Sequence, residues 1–197
     1  MSARLRRLYS DYERIQNEFA RHRYIKIVDV NGNPPERYRI LYNVKSLCWD
    51  EHANRPFENS RHEVEIYLPQ DYPREKPQCT IHTPIFHPNF SSNHSPNIIC
   101  IGDYWAASNS LTDVIVQIGE MLQFQTYNIK SPLNAMAARW ALENGEYLPV
   151  GNVDLYQPEP DVQIGVSDSK GAEDEINITI GAQKQDSSND FDIILHK

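Results

Sequence analysis

The sequence predicts an α+β fold with one antiparallel sheet and helices at its ends or on one face. Near the N-terminus and after residue 110, apolar residues recur at steps of three and four, which is the period of amphipathic helices. Between these segments the apolar period is two, as in half-buried strands. The connections between the strands are too short for parallel crossovers, so we expect a meander.

The predicted first element is a helix over residues 3–22, and four strands follow it. The apolar stripe of the helix consists of Leu5, Leu8, Tyr9, Tyr12, Ile15 and Phe19. The strands are indicated by alternating apolar residues around 25–27, 38–44, 64–68 and 79–85. Turn chemistry at residues 31–35, "NGNPP", separates the first two strands. We therefore expect a four-stranded antiparallel meander.

Residues 87–109 have no apolar period, and two further helices are predicted after this loop. The second helix carries the stripe Leu111, Val114, Ile115, Ile118 and Leu122. Ser110, with Asp113 three residues later, resembles a capping box at its start. The third helix places Leu133, Ala137, Trp140 and Ala141 on one face, and residues 144–145, "NG", are a plausible stop.

The net charge of −8 is concentrated in the last quarter of the chain. Residues 151–197 contain ten acidic residues and three lysines, which leaves 17 acidic and 16 basic residues for positions 1–150. A nearly neutral body argues against nucleic-acid binding, which needs a concentrated basic surface. We expect a folded domain over residues 1–150 and an acidic C-terminal extension over residues 151–197.

The extension is expected to be partly mobile from about residue 157, because it offers little apolar surface to bury. Two segments interrupt this composition, "INITI" at 176–180 and "FDIILHK" at 191–197. They predict either a small hairpin that folds back on the body or an edge strand offered to a partner's sheet. Disorder is the third alternative.

We expect a cytoplasmic protein with no membrane association. No apolar run approaches the roughly 18 to 20 residues that cross a bilayer, and the N-terminal segment lacks the apolar core of a signal peptide. The three cysteines are odd in number and have no paired metal-type spacing, which favours free thiols in a reducing compartment.

One of the three cysteines is a candidate nucleophile. Cys48 and Cys79 fall within strand patterns, where cysteine usually packs as a small apolar residue. Cys100 instead ends the aperiodic segment, and even a small thiolate fraction of such a thiol can carry acyl transfer. Asn89, eleven residues earlier, either donates its amide to a tetrahedral oxyanion or hydrogen-bonds the loop backbone.

Two other site chemistries use the same cysteine. A zinc site would recruit His82, His87, His94 and Cys100, although no Cys-x-x-Cys pair anchors such a set. A cysteine hydrolase would pair Cys100 with His87 or His94 as its base, although nothing in the spacing enforces that geometry. We expect neither a metal nor a cofactor.

Several motifs occur in an order that resembles a known family. They are "LPQDYPREKP" at 68–77, "FHPN" at 86–89, "NIICIG" around Cys100, Trp105, "SLTDVIVQIGEMLQ" at 110–123 and "SPLN" at 131–134. Over residues 3–148 the sequence resembles the ubiquitin-conjugating enzymes. The resemblance implies that family's α+β fold for the 1–150 domain, with the cysteine loop between the sheet and the two later helices.

The resemblance also implies a transferase. Cys100 would accept a ubiquitin-like protein from an activating enzyme as a thioester and pass it to an amine on a target protein, with Asn89 as the oxyanion or loop-ordering residue. Ser131 stands where the family often has an acidic residue that orients the incoming amine, and Asp103 is a candidate substitute. The alternative is an inactive member of the fold that binds a ubiquitin-like protein.

Partner contacts are implied at two places. Arg4, Arg6 and Arg7 form a basic cluster on the first helix, which is either a solvated face or a docking surface for the activating enzyme; Trp105 is also assigned to partner binding. Arg74 and "AASNS" at 106–110 replace the residues that usually bind RING-type ligases, which argues against that mode of binding. The segment "AARWALEN" is similar to prokaryotic members from antiviral defence operons.

Overall fold

A computed structural model of the chain describes residues 1–92 and 96–156. His94 and the two segments at 176–180 and 191–197 lie outside the described residues. The elements in chain order are α1 (Ala3–Phe19), β1 (Ile25–Gly32), β2 (Pro35–Tyr42), β3 (Ser46–Asp50), β4 (Arg55–Asn59), β5 (His62–Tyr67), β6 (Gln78–Ile81), β7 (Asn97–Ile99), α2 (Leu111–Leu122), α3 (Ala135–Glu143) and the 3₁₀ turn Gly145–Tyr147.

The main sheet has five antiparallel strands in the order β1-β2-β5-β6-β7. Its first four strands are the predicted meander, which is confirmed. The alternation places Ile40 opposite Val64 and Ile66 opposite Cys79, all facing the core. The turn between β1 and β2 is also confirmed, and Gly32 takes a φ of 106° that favours glycine there.

Two features of the sheet were not predicted. Strand β7 has three residues, too few to show a period, and lies within the segment that was expected to be aperiodic. Strands β3 and β4 form a separate hairpin. The first, "SLCWD", has three consecutive apolar residues in its middle, and the second, "RPFEN", has one large apolar side chain, Phe57, which is half exposed. Neither strand therefore alternates.

Helices α1 and α2 cover one face of the sheet. Nine of the twelve residues of α2 are buried, and they include all five residues of its predicted apolar stripe. Helix α1 packs on β1, β2 and α2. Its predicted stripe is wrong at two positions, because Leu5 and Tyr9 are 37% and 39% exposed. Asp11, which the pattern did not place inside, is buried instead.

The predicted N-cap of α2 and the predicted end of α3 are confirmed, whereas the Asn134 cap at the start of α3 was not predicted. The Ser110 hydroxyl accepts a hydrogen bond from the Thr112 N–H at the start of α2. Helix α3 begins after Asn134, whose side chain accepts from the Ala137 N–H, and ends at Asn144. Leu133 therefore precedes the helix and is exposed, which corrects its predicted place on the apolar face.

The folded body continues beyond residue 150. Gln123, at the end of α2, donates to the carbonyl oxygen of Val153 at 3.1 Å and accepts from its N–H at 2.8 Å. Leu155 is 3% exposed and belongs to the main core. The start of the segment that the sequence analysis assigned to the extension therefore packs on the body. Within the described part of the chain, no helix combines the length and apolarity needed to cross a bilayer.

Candidate active site

Cys100 directly follows β7 and is half-buried. Its backbone N–H donates to the carbonyl oxygen of Asn89 at 2.8 Å. The other two thiols are buried, as predicted: burial raises the pKa of Cys48 and raises the pKa of Cys79 to about 12. Since the thiolate is the nucleophile, Cys100 is the thiol of this chain that is best placed to react.

Asn89 connects the cysteine loop to the loop between α2 and α3, which is the loop that precedes α3. Its side-chain Nδ2 donates to the carbonyl oxygen of Cys100 at 3.2 Å, and its Oδ1 accepts from the backbone N–H of Asn128 at 2.8 Å. Its own N–H donates to Nδ1 of His87 at 3.1 Å. The carboxamide thus ties the backbone at Cys100 to the loop between α2 and α3.

His87 is fully buried between aromatic rings. Its ring centroid lies 4.9 Å from that of Phe90 and 4.3 Å from that of Phe124. Burial lowers the pKa of His87 to about 3, so the ring is neutral at physiological pH. Since Nδ1 already accepts from the Asn89 N–H, this histidine is a structural acceptor, and the cysteine-hydrolase hypothesis loses it as a base.

A groove of about 380 Å³ opens on the α2 side of Cys100, and we call it the polar groove. All four residues that the sequence analysis assigned to catalysis line it, namely Cys100, Asn89, Ser131 and Asp103. Gln117 on α2 donates to the carbonyl oxygen of Ile101 at 3.1 Å and so fixes the chain just after the cysteine. The groove is therefore built from the cysteine loop, α2 and the loop that precedes α3.

The charged groups of the polar groove are acidic. Asp103 is exposed at one wall, and Glu120 lies on α2. The pKa of Glu120 is raised, first by partial burial and then by the neighbouring charge of Asp154. Ser131 is exposed, and its backbone N–H donates to the side chain of Asn128 at 3.3 Å. The groove thus suits a neutral or basic segment better than an acidic one.

The zinc hypothesis is not supported by the described residues. Within residues 1–92 and 96–156, no three His, Cys, Asp or Glu side chains are arranged to hold a metal ion. His82 is exposed at the end of β6, whereas His87 is enclosed by aromatic rings. The remaining member of that set, His94, lies outside the described residues.

Comparison with known proteins decides the family. The family model described as "Ubiquitin-conjugating enzyme" matches residues 13–148, which is more than half of the chain. The chain belongs to the ubiquitin-conjugating enzyme family. The resemblance inferred from the motifs is confirmed, and so is the predicted α+β fold.

Two relatives in this family share limited sequence identity with this chain. "Ubiquitin-conjugating enzyme E2 S-B" of Xenopus laevis is 27% identical over 143 residues, which are 70% of this chain and 66% of that relative. "Ubiquitin-conjugating enzyme E2 N" of Drosophila melanogaster is 24% identical over 147 residues, which are 74% of this chain and 89% of that relative.

A solved structure supports the fold alone. It is the crystal structure of a ubiquitin conjugating enzyme candidate from Plasmodium yoelii, with a TM-score of 0.53 and 23% identity. The match covers 74% of this chain and 88% of that chain.

Asn128 is a site residue of this family member that the sequence analysis missed. Its side-chain oxygen accepts from the N–H groups of Lys130 and Ser131, at 2.9 and 3.3 Å, which folds the loop before α3. Its backbone N–H donates to the side-chain Oδ1 of Asn89. The sequence signal was "YNIKSP", where an asparagine two residues before a lysine and three before a serine favours a side-chain-capped turn.

The three arginines assigned to partner binding do not share one role in this ubiquitin-conjugating fold. Arg7 points into the protein and contacts both carboxylate oxygens of Asp11, at 2.8 and 2.9 Å, and the Tyr72 hydroxyl at 3.0 Å. Arg4 is half-buried and pairs with Glu36 at 2.9 Å. Arg6 is exposed, with a contact to the Met1 carbonyl at 3.2 Å.

Trp105 has its own contacts within the chain. Its indole N–H donates to the carbonyl oxygen of Pro73 at 2.8 Å, and its ring centroid lies 6.1 Å from that of Tyr72. The half-buried ring thus holds the turn at Tyr72 and Pro73, which we call the Tyr-Pro turn, against the loop after the cysteine. Arg74, which follows this turn, is exposed.

Proposed function

We propose that this protein is a ubiquitin-conjugating-type transferase. Cys100 accepts the C-terminal carboxyl group of a ubiquitin-like protein from an activating enzyme, as a thioester, and passes it to an amine on a target protein. One observation carries the proposal: of the three thiols, only Cys100 is not buried, and it opens on a groove that also contains Asn89, Asp103 and Ser131.

Loading exchanges one thioester for another. The sulfur of Cys100, as a thiolate, attacks the carbonyl carbon held on the activating enzyme's cysteine, and that cysteine leaves as a thiolate. Discharge follows when a neutral amine attacks the carbonyl carbon on Cys100. The C–N bond forms, the C–S bond breaks, and the amine's proton goes to solvent. Both steps pass through a tetrahedral oxyanion.

Asn89 has two tasks in this mechanism. Its contacts with Cys100 and Asn128 fix the loop around the sulfur. Its Nδ2 group uses one hydrogen for the Cys100 carbonyl, and we propose that its second hydrogen donates to the oxyanion. The two tasks that the sequence left as alternatives are therefore compatible in one residue.

The residue before "PLN" contributes less to activation of the amine than an acidic residue at this position would. The hydroxyl of Ser131 can accept a hydrogen bond from an amine, but it carries no charge. Asp103 and Glu120 supply the negative charge of the polar groove, and Asp103 lies three residues after Cys100. We assign the orienting role to Ser131 and the electrostatic role to Asp103.

The competing function is an inactive fold member that only binds a ubiquitin-like protein. Retention of a half-exposed Cys100 next to Asn89 favours the transferase, because a binding module has no need for an accessible thiol.

A gel assay separates the two functions. The protein is mixed with ATP, an activating enzyme and its modifier, with ubiquitin and the modifiers of neighbouring genes as probes, and is run with and without thiol reductant. We expect a reductant-sensitive adduct for the wild type and a reductant-resistant oxyester for Cys100→Ser. Cys48→Ser is the matched control and should load normally. If no modifier gives a reductant-sensitive adduct, the transferase proposal fails.

The setting of the reaction is also part of the proposal. The partners are the modifier, the activating enzyme and the target, in the cytoplasm, and a RING-type ligase would need a binding mode that accommodates Arg74. Similarity of "AARWALEN" to prokaryotic members favours an antiviral defence operon. Genes for an activating enzyme and a small protein ending in glycine next to this gene would support that placement, and their absence would oppose it.

A further inference from the structure

A groove at the C-terminal end of α1 is separate from the candidate active site, and we call it the basic groove. It has a volume of about 620 Å³ and is lined by the end of α1, the loop that follows it and the start of β1. Among the residues that the structure describes, it shares no lining residue with the polar groove. A molecule bound there therefore need not cover the thiol of Cys100.

The charged side chains that line the basic groove are cationic. Arg21, Arg23 and Lys26 line it and are exposed, and no described residue that lines it is acidic. None of the ion pairs between described residues involves Arg21 or Lys26, whereas Arg37 and Arg39 on β2 each pair with a glutamate. Arg21 and Lys26 thus present positive charge to solvent at one end of the body.

The loop between these cations is fixed by His22. Nδ1 of this histidine accepts from the backbone N–H groups of Tyr24 and Ile25, at 3.2 and 3.0 Å. Its Nε2 therefore carries a proton and donates to the carbonyl oxygen of Leu155 at 3.2 Å. Because the backbone that carries the cations is already ordered, less conformational entropy is lost when a ligand binds them.

The basic groove also offers apolar groups. Its lining includes Phe19 and Ala20 at the end of α1 and the half-buried Ile27 on β1. Cations beside apolar groups fit a peptide that carries both carboxylates and an apolar side chain. A nucleic acid would need a larger concentration of positive charge, and residues 1–150 are nearly neutral.

We propose that the basic groove is a docking site for an acidic segment of a partner protein. Carboxylates of that segment pair with Arg21, Arg23 and Lys26, and an apolar side chain beside them packs against Ile27. Since the basic groove is separate from the polar groove, the partner can stay bound while Cys100 reacts. The inference does not depend on the transferase reaction, so failure of the gel assay described above would leave it intact.

Binding of a synthetic peptide tests the proposal. A fluorescein-labelled peptide of glutamate, serine and leucine residues is titrated with the full-length protein at low ionic strength, and fluorescence anisotropy is recorded. In one comparison peptide lysine replaces glutamate, and in another serine replaces leucine. We expect saturable binding of the acidic peptide, at least about tenfold weaker binding of the lysine peptide, and about threefold weaker binding of the peptide without leucine.

Charge reversal locates the site on the protein. Arg21→Glu combined with Lys26→Glu should weaken binding of the acidic peptide by at least about tenfold, because two attractive charges become repulsive. The matched control is Arg55→Glu combined with Arg61→Glu, which reverses two exposed arginines near the ends of β4 and changes the net charge by the same amount. The control should stay within about twofold of the wild type, because its charges lie outside the groove. Urea unfolding verifies that both variants fold.

Alkylation of Cys100 by iodoacetamide shows whether the two grooves are independent. Its rate should stay within about twofold of its original value when the acidic peptide is saturating, because an accessible thiolate remains free to react. A rate that falls in step with peptide binding would place the peptide at the active site and overturn the proposal.

The proposal is also wrong if the wild type shows no saturable binding or if both double variants lose the same affinity. Tighter binding of a single-stranded oligonucleotide would assign the groove to nucleic acid, and dissociation of a dimer by the peptide would assign it to a second copy of the chain. If the peptide binds only after Glu173→Gln, Asp174→Asn and Glu175→Gln are introduced together, the groove serves that acidic segment instead of a partner.

Discussion

Two polar networks hold the irregular segments of this fold, and they differ in charge. The first, which we call the Arg7 network, joins α1 to the Tyr-Pro turn through Arg7, Asp11 and Tyr72, and reaches the carbonyl oxygens of Ala107 and Asn109. The second, the Asn89 network, joins the cysteine loop to the loop before α3 and contains only neutral groups.

The difference in charge follows from the groups that each network fixes in place. The Arg7 network buries a carboxylate, so the guanidinium must be present to compensate its charge. The Tyr72 hydroxyl donates to Asp11 at 2.6 Å, and burial followed by that carboxylate raises the pKa of Tyr72 far above its ordinary value. The Asn89 network instead joins the backbones of two loops beside Cys100, and neutral amides can do so without a buried charge.

The largest expected effect is the loss of stability when the Arg7 network is broken. Arg7→Met leaves Asp11 buried without its partner and should lower the free energy of unfolding by about 3 to 5 kcal/mol. Urea unfolding measures this loss. Arg6→Met, on the exposed side of the same helix, should change it by less than about 0.5 kcal/mol.

The double variant Arg7→Met, Asp11→Leu separates charge from packing. Because it removes both ions, it should recover a large part of the stability that the single variant loses. A single variant as stable as the wild type would show that the Arg7 network contributes no net stability.

Breaking the Asn89 network should affect the rate of discharge from Cys100 more than the stability of the fold. In Asn89→Ala, loss of the amide donor should slow transfer from Cys100 to an added amine by about 10²- to 10³-fold. The stability loss should be about 1 to 3 kcal/mol, because hydrogen bonds between the two loops are lost. Single-turnover discharge, started from purified thioester, measures the first quantity and denaturant unfolding the second.

Comparison of two steps in the same Asn89→Ala protein tests its role. Loading should slow less than discharge if the amide acts on the oxyanion in addition to ordering the loop. Equal slowing of the two steps would assign Asn89 to loop structure alone.

The smallest expected effect is the pH dependence of the stability that the Asn89 network contributes. The folded pKa of His87 is lowered to about 3, against an ordinary value of 6.5, so the folded state favours the neutral ring. Its contribution to stability is complete above pH 6.5 and is lost as the pH falls toward 3. Between pH 6.5 and 5.5 the loss from this one group should be about 1 kcal/mol.

His87→Gln provides the reference for this pH measurement. Glutamine retains a side-chain acceptor for the Asn89 N–H and does not titrate. The difference in unfolding free energy between wild type and variant should therefore shrink as the pH is lowered from 7 to 5. A difference that stays constant over that range would mean that His87 is not the titrating group.

Part of the candidate site was predictable from the sequence, and part was not. The irregular segment around Cys100 and the burial of Cys48 and Cys79 were predictable, because cysteine among apolar neighbours usually packs inside while no apolar period surrounds Cys100. The contact between Asn89 and Asn128 was not predictable, since they are 39 residues apart and no periodicity connects two loops. The basic cluster was only partly predictable, because Arg6 is exposed whereas Arg7 contacts the buried carboxylate of Asp11.

The sequence by itself determined the helices α1, α2 and α3, the Ser110 cap, the end of α3 at Asn144, the four-stranded meander and the irregular segment around Cys100. Helix period, strand alternation and turn chemistry act over a few neighbouring residues. Only the tertiary structure decided which irregular segments meet. It paired the hairpin β3–β4, added β7 to the sheet edge and placed Leu155 in the core. These outcomes depend on burial and hydrogen bonding between residues that are distant in the chain, where a local pattern carries no information.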